Sequence, residues 1–109
     1  MHIELKKFGT TLTSRDGGKE SYNALQPSLI SLKDDEELIV DFSGVDTFSP
    51  SWGDEFLTNL FNKYKDRLVL INTSNPSVVA TLEMLSAIKG IKFNLRLTGT
   101  ENLDNLCIL

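Results

Sequence analysis

The segment that decides the fold of this chain is residues 41–56, DFSGVDTFSPSWGDEF. Together with the apolar residues just before it, the segment predicts a buried strand, a serine-rich loop and then an amphipathic helix. Ser49 and Ser51 fall at or beside the start of that helix, where backbone N–H groups and the helix dipole favour an anion. A strand–loop–helix edge of this kind is a common place for binding sites in α/β proteins. The segment therefore indicates both the fold class and the position of the functional site.

Strands and helices alternate on both sides of this segment. The predicted order is strand 2–8, a short strand within 10–13, a helix with Tyr22, Leu25, Leu29 and Leu32 on one face, strand 38–42, a helix through Trp52, Phe56, Leu60 and Tyr64, strand 68–71, a helix between Asn75-Pro76 and Lys89-Gly90, strand 93–97, and a short tail helix through Leu103, Leu106 and Cys107. Strands that alternate with helices imply crossover connections and a largely parallel sheet. We expect one α/β domain over residues 1–109, with a central mixed, mostly parallel sheet of about 4–5 strands packed with about 3–4 helices.

The composition excludes several classes of partner. The net charge is -4 and the pI is about 4.9, which disfavours nucleic acid and anionic membrane surfaces. No apolar run approaches the ~20 residues that a membrane span needs. A single cysteine, Cys107, cannot form an internal disulfide. We therefore expect a cytoplasmic protein.

The chain shows no pattern of residues typical of an enzyme. His2 and Cys107 stand near opposite ends, so no catalytic triad or Cys–His pair is indicated. The glycines at 17 and 18 lack the spacing of a phosphate-binding loop, and no metal-ligand spacing is present. We expect no catalytic activity, no cofactor and no metal.

The central segment resembles the STAS superfamily, the fold of the bacterial anti-sigma-factor antagonists. It is most similar to stand-alone bacterial STAS-like domains, whose pattern is an aliphatic strand, DFSGV, a serine pair, and a helix that begins with a small residue and an acidic pair. The corresponding pieces here are residues 38–45, Ser49 and Ser51, and residues 53–56. The similarity extends over about residues 3–98 and implies a STAS-like fold.

The resemblance also implies a function. In the antagonists, a serine at the start of the second helix is phosphorylated by a partner kinase that is also an anti-sigma factor, and the phosphate breaks the complex. Ser51 stands at the position of that phosphoacceptor, with Ser49 as the alternative. The resemblance thus implies a non-catalytic regulatory module that binds a protein, such as a histidine-kinase-type ATPase or an anti-sigma factor. Two alternatives stay open: a nucleotide or other small-ligand sensor, and a constitutive assembly module that forms a homodimer.

Structural roles compete with these functional ones. Ser51 and Asp54 fit a capping box, and Ser49 followed by proline is an equally good cap. Trp52 lies at the edge of the apolar stripe, where it either packs or anchors a partner. Asp54 and Glu55 complement the helix dipole and could contact a partner. Adjacent helix positions point about 100° apart, which predicts that these two residues do not converge as a paired-carboxylate site.

Overall fold

A computed structural model describes residues 1–97. The strands are β1 (His2–Glu4), β2 (Thr11–Leu12), β3 (Leu38–Asp41), β4 (Thr47–Phe48), β5 (Leu68–Ile71) and β6 (Asn94–Arg96). The helices are α1 (Arg15–Leu29), α2 (Pro50–Gly53), α3 (Asn59–Tyr64) and α4 (Pro76–Lys89), with 3-10 turns at Leu5–Phe8 and Lys65–Arg67. A π-helical turn, Asp54–Thr58, joins α2 to α3 without a break, and we call these three pieces the central helical run.

Two separate parallel sheets form. The larger one has the strand order β1-β3-β5-β6, and every neighbouring pair in it is parallel. The smaller one pairs β2 with β4. The predicted α/β fold with a mostly parallel sheet is confirmed, although the large sheet of the described residues has no antiparallel strand. The predicted tail helix and Cys107 lie outside the described residues.

The helices pack against one another beside the large sheet. The central helical run contacts α1 on one side and α4 on the other. The hydrophobic core combines side chains of these helices with alternate strand residues that share one face of the sheet, such as Ile3, Val40 and Leu70. Side chains alternate along a strand, so the residues between these core positions, such as Ile39 and Val69, point to the opposite face of the sheet. The core therefore fixes how the start of the central helical run sits against α1 and α4.

The ends of α1 and α4 follow the local signals in the sequence. Ser14 caps α1 by accepting a hydrogen bond from the Gly17 N–H at 2.9 Å. Asn75 caps α4 by accepting from the N–H groups of Ser77 and Val78, and Pro76 takes the first helical position. Gly90 ends α4 in the left-handed conformation, with φ 65°, which a side chain would disfavour. The predicted boundaries of α4 are thereby confirmed.

No helix within residues 1–97 combines the length and the apolar character that crossing a membrane would require.

Candidate functional site

The central helical run begins at Ser49, one residue before a proline. The Ser49 hydroxyl accepts a hydrogen bond from the Trp52 N–H at 3.3 Å and donates one to the Thr13 carbonyl at 2.8 Å. It therefore caps the helix and also ties the loop before α1 to the loop before α2. The predicted alternative cap is confirmed, whereas the capping box centred on Ser51 is wrong, because Ser51 is already the second helical residue.

Ser51 lies at the surface of the first helical turn. Its side chain is half-buried, and its hydroxyl makes no hydrogen bond to any residue of the described chain. The helix N-terminus stabilises a negative charge at this position. The Ser49 hydroxyl, by contrast, is used in two hydrogen bonds.

Trp52 points away from the surface and into the core. Only 2% of the residue is exposed. Its ring stacks on Phe56 with centroids 4.7 Å apart, and it meets Phe48 at 5.8 Å and Phe8 at 6.4 Å. A partner could not contact this ring without opening the core. The packing role that the sequence left open is the one that the structure supports.

The backbones of α1 and α2 come into direct contact beside Trp52. A Cβ added to Gly18 would lie 2.5 Å from the Trp52 carbonyl oxygen and 3.0 Å from the Trp52 Cα. Only a glycine permits this approach, since a methyl group there would overlap backbone atoms. The contact brings the first residues of α1 next to the first turns of the central helical run.

A charge cluster results at the surface where these helices meet. One Arg15 guanidinium nitrogen donates to Asp54 Oδ2 at 3.1 Å and to Glu55 Oε1 at 3.0 Å. The Nζ atom of Lys89, at the end of α4, lies 3.5 Å from Asp54 Oδ1. The long Arg15 side chain thus lets the two carboxylates share one guanidinium nitrogen. That they form no paired-carboxylate site stays a prediction. Both carboxylates also belong to the π-helical turn, a deviation that recurs at functional sites.

The cluster holds its groups in their charged forms. Partial burial would raise the pKa of Asp54, but the hydrogen bond from Arg15 and the positive charge of Lys89 outweigh burial and leave that pKa below its ordinary value. The hydrogen bonds to Asp54 and Glu55 raise the pKa of Arg15. The Arg15 side chain nevertheless stays 54% exposed, so the cluster is open to solvent and to a partner.

Replacing Arg15 by glutamine is expected to raise the pKa of Asp54 toward its ordinary value, because the largest stabilising interaction of the carboxylate is lost. Lys89→Gln should also raise it, because the positive charge and the hydrogen bond of Lys89 are lost. The folded state favours ionised Asp54, so the stability that this group contributes is present above the unfolded pKa of about 4 and is lost as pH falls through the lower folded pKa. Carboxyl NMR titration measures the shift. The free energy of unfolding should change little, since the pairs are exposed to solvent. An unchanged pKa of Asp54 in Arg15→Gln would contradict the geometry.

A second polar site lies at the carboxyl end of β3. Asp41 is 7% exposed and accepts hydrogen bonds from the Ser43 N–H at 2.8 Å, Asn72 Nδ2 at 2.8 Å and His2 Nε2 at 3.1 Å. Burial would raise the pKa of Asp41, yet the hydrogen bonds from Asn72, Ser43 and His2 together lower it. This carboxylate at the end of an apolar strand is therefore fully hydrogen-bonded, as burial of a charge requires.

The loops after β3 and β5 form an open surface depression of about 450 Å³, which begins at Phe42, the residue after Asp41. Most of its lining is polar or backbone: Phe42, Ser43, Gly44, Val45, Asp46, Asn72, Ser74 and Asn75. Sequence reasoning did not predict this depression, although polar residues directly after two neighbouring apolar strands are a usable signal, because parallel strands bring their carboxyl ends together. Within residues 1–97, no group of three or more His, Cys, Asp or Glu side chains could hold a metal ion.

Comparison with known proteins agrees with this architecture. Residues 28–78 match a family model described as a STAS-like domain of unknown function (DUF4325). The matched stretch runs from the end of α1 through β3 and the central helical run to the start of α4, and so contains Ser49, Ser51, Asp54 and Glu55. No curated protein and no solved structure matches the chain significantly.

Proposed function

We propose that this chain, which matches a STAS-like family model over residues 28–78, is a non-catalytic regulatory module that binds another protein through the surface around the start of the central helical run. That surface consists of Arg15, Ser51, Asp54 and Glu55. Trp52 supports it from below, as the packed residue that holds the first turn in place. The partner that the STAS resemblance implies is a histidine-kinase-type ATPase or an anti-sigma factor.

The observation that carries this proposal is an unbonded serine hydroxyl beside an exposed, balanced charge cluster. Asp54 is three residues after Ser51 and so lies on the same side of the helix. Its negative charge is offset by Arg15 and Lys89. A partner can therefore contact positive and negative groups within a small area. A change of charge at Ser51 would alter the net charge of the surface that the partner contacts.

Ser51 is the switch residue of the proposed function. A phosphate there would carry about -1.5 to -2 charges and would be stabilised by the helix N-terminus. It would also compete with Asp54 and Glu55 for Arg15, whose guanidinium is exposed enough to change partners. Phosphorylation would thus reorganise the charges of the binding surface without disturbing the core, and Ser49 would keep the helix capped.

The test compares partner capture by matched variants of the chain in extracts of its source cells. Wild-type protein should retain a specific ATPase or anti-sigma factor, and the Ser51→Glu and Arg15→Glu variants should each retain at least tenfold less. Glu20→Lys, an exposed change elsewhere on α1, is the control and should bind as the wild type does. Intact mass and fragmentation of the chain from the same cells should show a phosphoryl group on Ser51. Equal capture by all variants, with no such modification, would refute the proposal.

Small-ligand sensing is the second candidate, and the polar depression at the carboxyl end of β3 and β5 favours it. Ligands of open α/β sheets bind at this edge, and the hydroxyl groups of Ser43 and Ser74 in its lining could donate and accept hydrogen bonds. A nucleotide that raises the melting temperature of the wild type, but not of Ser43→Ala, would support this function. An unchanged melting temperature with a full set of purine and pyrimidine nucleotides at saturating concentrations would exclude nucleotide sensing.

A further inference from the structure

Helix α4 has no polar face. Besides its buried residues, it exposes Val79 (38%), Met84 (47%) and Ile88 (68%). Among the exposed or half-buried positions of α4 the charged residues are only Glu83 and Lys89, and Lys89 is drawn to Asp54. A surface helix normally presents charged and polar residues to water, so this apolar outer side indicates a surface that another molecule covers.

The apolar side of α4 continues into a groove against β6. The groove has a volume of about 570 Å³, and Leu82, Ile91, Phe93 and Leu95 form much of its apolar wall. Leu95 is 54% exposed although it belongs to a strand of the large sheet. Within residues 1–97, β6 is also the last strand of that sheet, so that one side of its backbone faces no described strand. An edge strand beside an apolar groove is a common feature of protein interfaces.

Two opposite charges mark the rim of this groove. Glu83 lines it from α4 and Lys92 lines it from the segment before β6. Neither side chain forms an ion pair with any residue in the described part of the chain. This rim therefore offers one unpaired anion and one unpaired cation around an apolar centre.

We propose that the α4–β6 groove binds a second copy of this chain in a twofold-symmetric homodimer, with Glu83 of each copy facing Lys92 of the other. A twofold interface is formed by the same patch on both copies, so each residue pair occurs twice. A patch that carries one anion and one cation at its rim is complementary to itself under this symmetry. An unrelated partner would have to match both charges by chance, and for this reason a second copy is the favoured occupant.

The expected dimer is reversible rather than permanent. Helix α4 has 14 residues and is therefore about 21 Å long, at ~1.5 Å per residue, and β6 adds three residues. An interface of this extent is at the lower end of the range for specific association. The surface is also separate from the Ser51 cluster, so that dimer formation does not depend on the function proposed above.

Charge exchange tests the proposed pairing. Sedimentation velocity over a wide concentration range should show self-association of the full chain, and Glu83→Lys or Lys92→Glu alone should weaken it by about tenfold, because two like-charge contacts replace two attractive ones. An equimolar mixture of the two single variants should restore association and form heterodimers, which native mass spectrometry identifies. Glu20→Lys is the control for an equal change of charge far from the groove.

Leu95→Asp places a charge inside the groove and should abolish association while the chain stays folded by circular dichroism. A wild-type chain that remains monomeric at the highest concentration would overturn the proposal. So would a dimer that is insensitive to both charge reversals, or a mixture of the two variants that fails to restore association. A monomeric wild type whose Leu95→Asp variant loses thermal stability would show that the groove is filled within one chain, and would also overturn it.

Discussion

Replacement of Trp52 by alanine is expected to lower the free energy of unfolding by about 3–5 kcal/mol, the usual cost of removing a large buried aromatic ring. The ring is 2% exposed and contacts three other aromatic rings, those of Phe8, Phe48 and Phe56. Its loss would leave a cavity where the central helical run begins. Domains of this size are stable by about 5–15 kcal/mol, so the loss would be a large share of the total. Urea denaturation followed by circular dichroism measures it.

Two further variants show whether the loss comes from the ring. Trp52→Phe keeps an aromatic ring in the same place and should lose clearly less stability than Trp52→Ala. Ile30→Ala removes a side chain that is 86% exposed and should change the free energy of unfolding by less than about 0.5 kcal/mol. If Trp52→Ala were as stable as the wild type, the ring would lie at the surface, and its role as a partner anchor would return.

Much of the large sheet could be predicted because its strands carry strong local patterns. Residues 38–41 and 68–71 are continuous apolar runs, and both form central strands. The smaller sheet could not be predicted as a unit. β2 and β4 have two residues each, too few to show a period, and β2 pairs with a strand that lies 36 residues further on rather than with β1. The alternation of Phe93, Leu95 and Leu97 did predict β6, but two of those three apolar side chains lie about half exposed.

The site was predictable in position but not in its contacts. Two serines that flank a proline both look like caps, and the preference of proline for the first helical position is the signal that favours Ser49 over Ser51. Nothing local indicates that Arg15 meets Asp54 and Glu55, about 40 residues away. The contact of Arg15 with the two carboxylates depends on how closely α1 approaches the central helical run. That approach depends on Gly18, whose role is visible only after the two helices are packed.

Replacement of Gly18 by alanine should therefore destabilise the protein, although alanine is the better helix former by about 1 kcal/mol. The new Cβ would lie 2.5 Å from the Trp52 carbonyl oxygen, and because both sides of this contact are backbone, no side chain can turn away. The helices would have to separate, at a net cost of about 1–3 kcal/mol in the free energy of unfolding. Separation would also lengthen the contact of Arg15 with Asp54. The pKa of Asp54 should then rise in the same variant, which joins the packing of the helices to the electrostatics of the proposed binding surface.

The matched control is Asn23→Ala, an exposed change within the same helix. It also gains helix propensity, though less than Gly18→Ala does, and it makes no new contact across the helix interface, so it should leave stability unchanged or slightly increased. Urea denaturation of both variants, together with the titration of Asp54, separates the two effects. A Gly18→Ala protein that gains stability as Asn23→Ala does would mean that α1 and α2 lie further apart than described. If Gly18→Ala lost stability while the pKa of Asp54 stayed unchanged, the charge cluster would be independent of helix spacing, and Arg15 could follow its partners as the helices move.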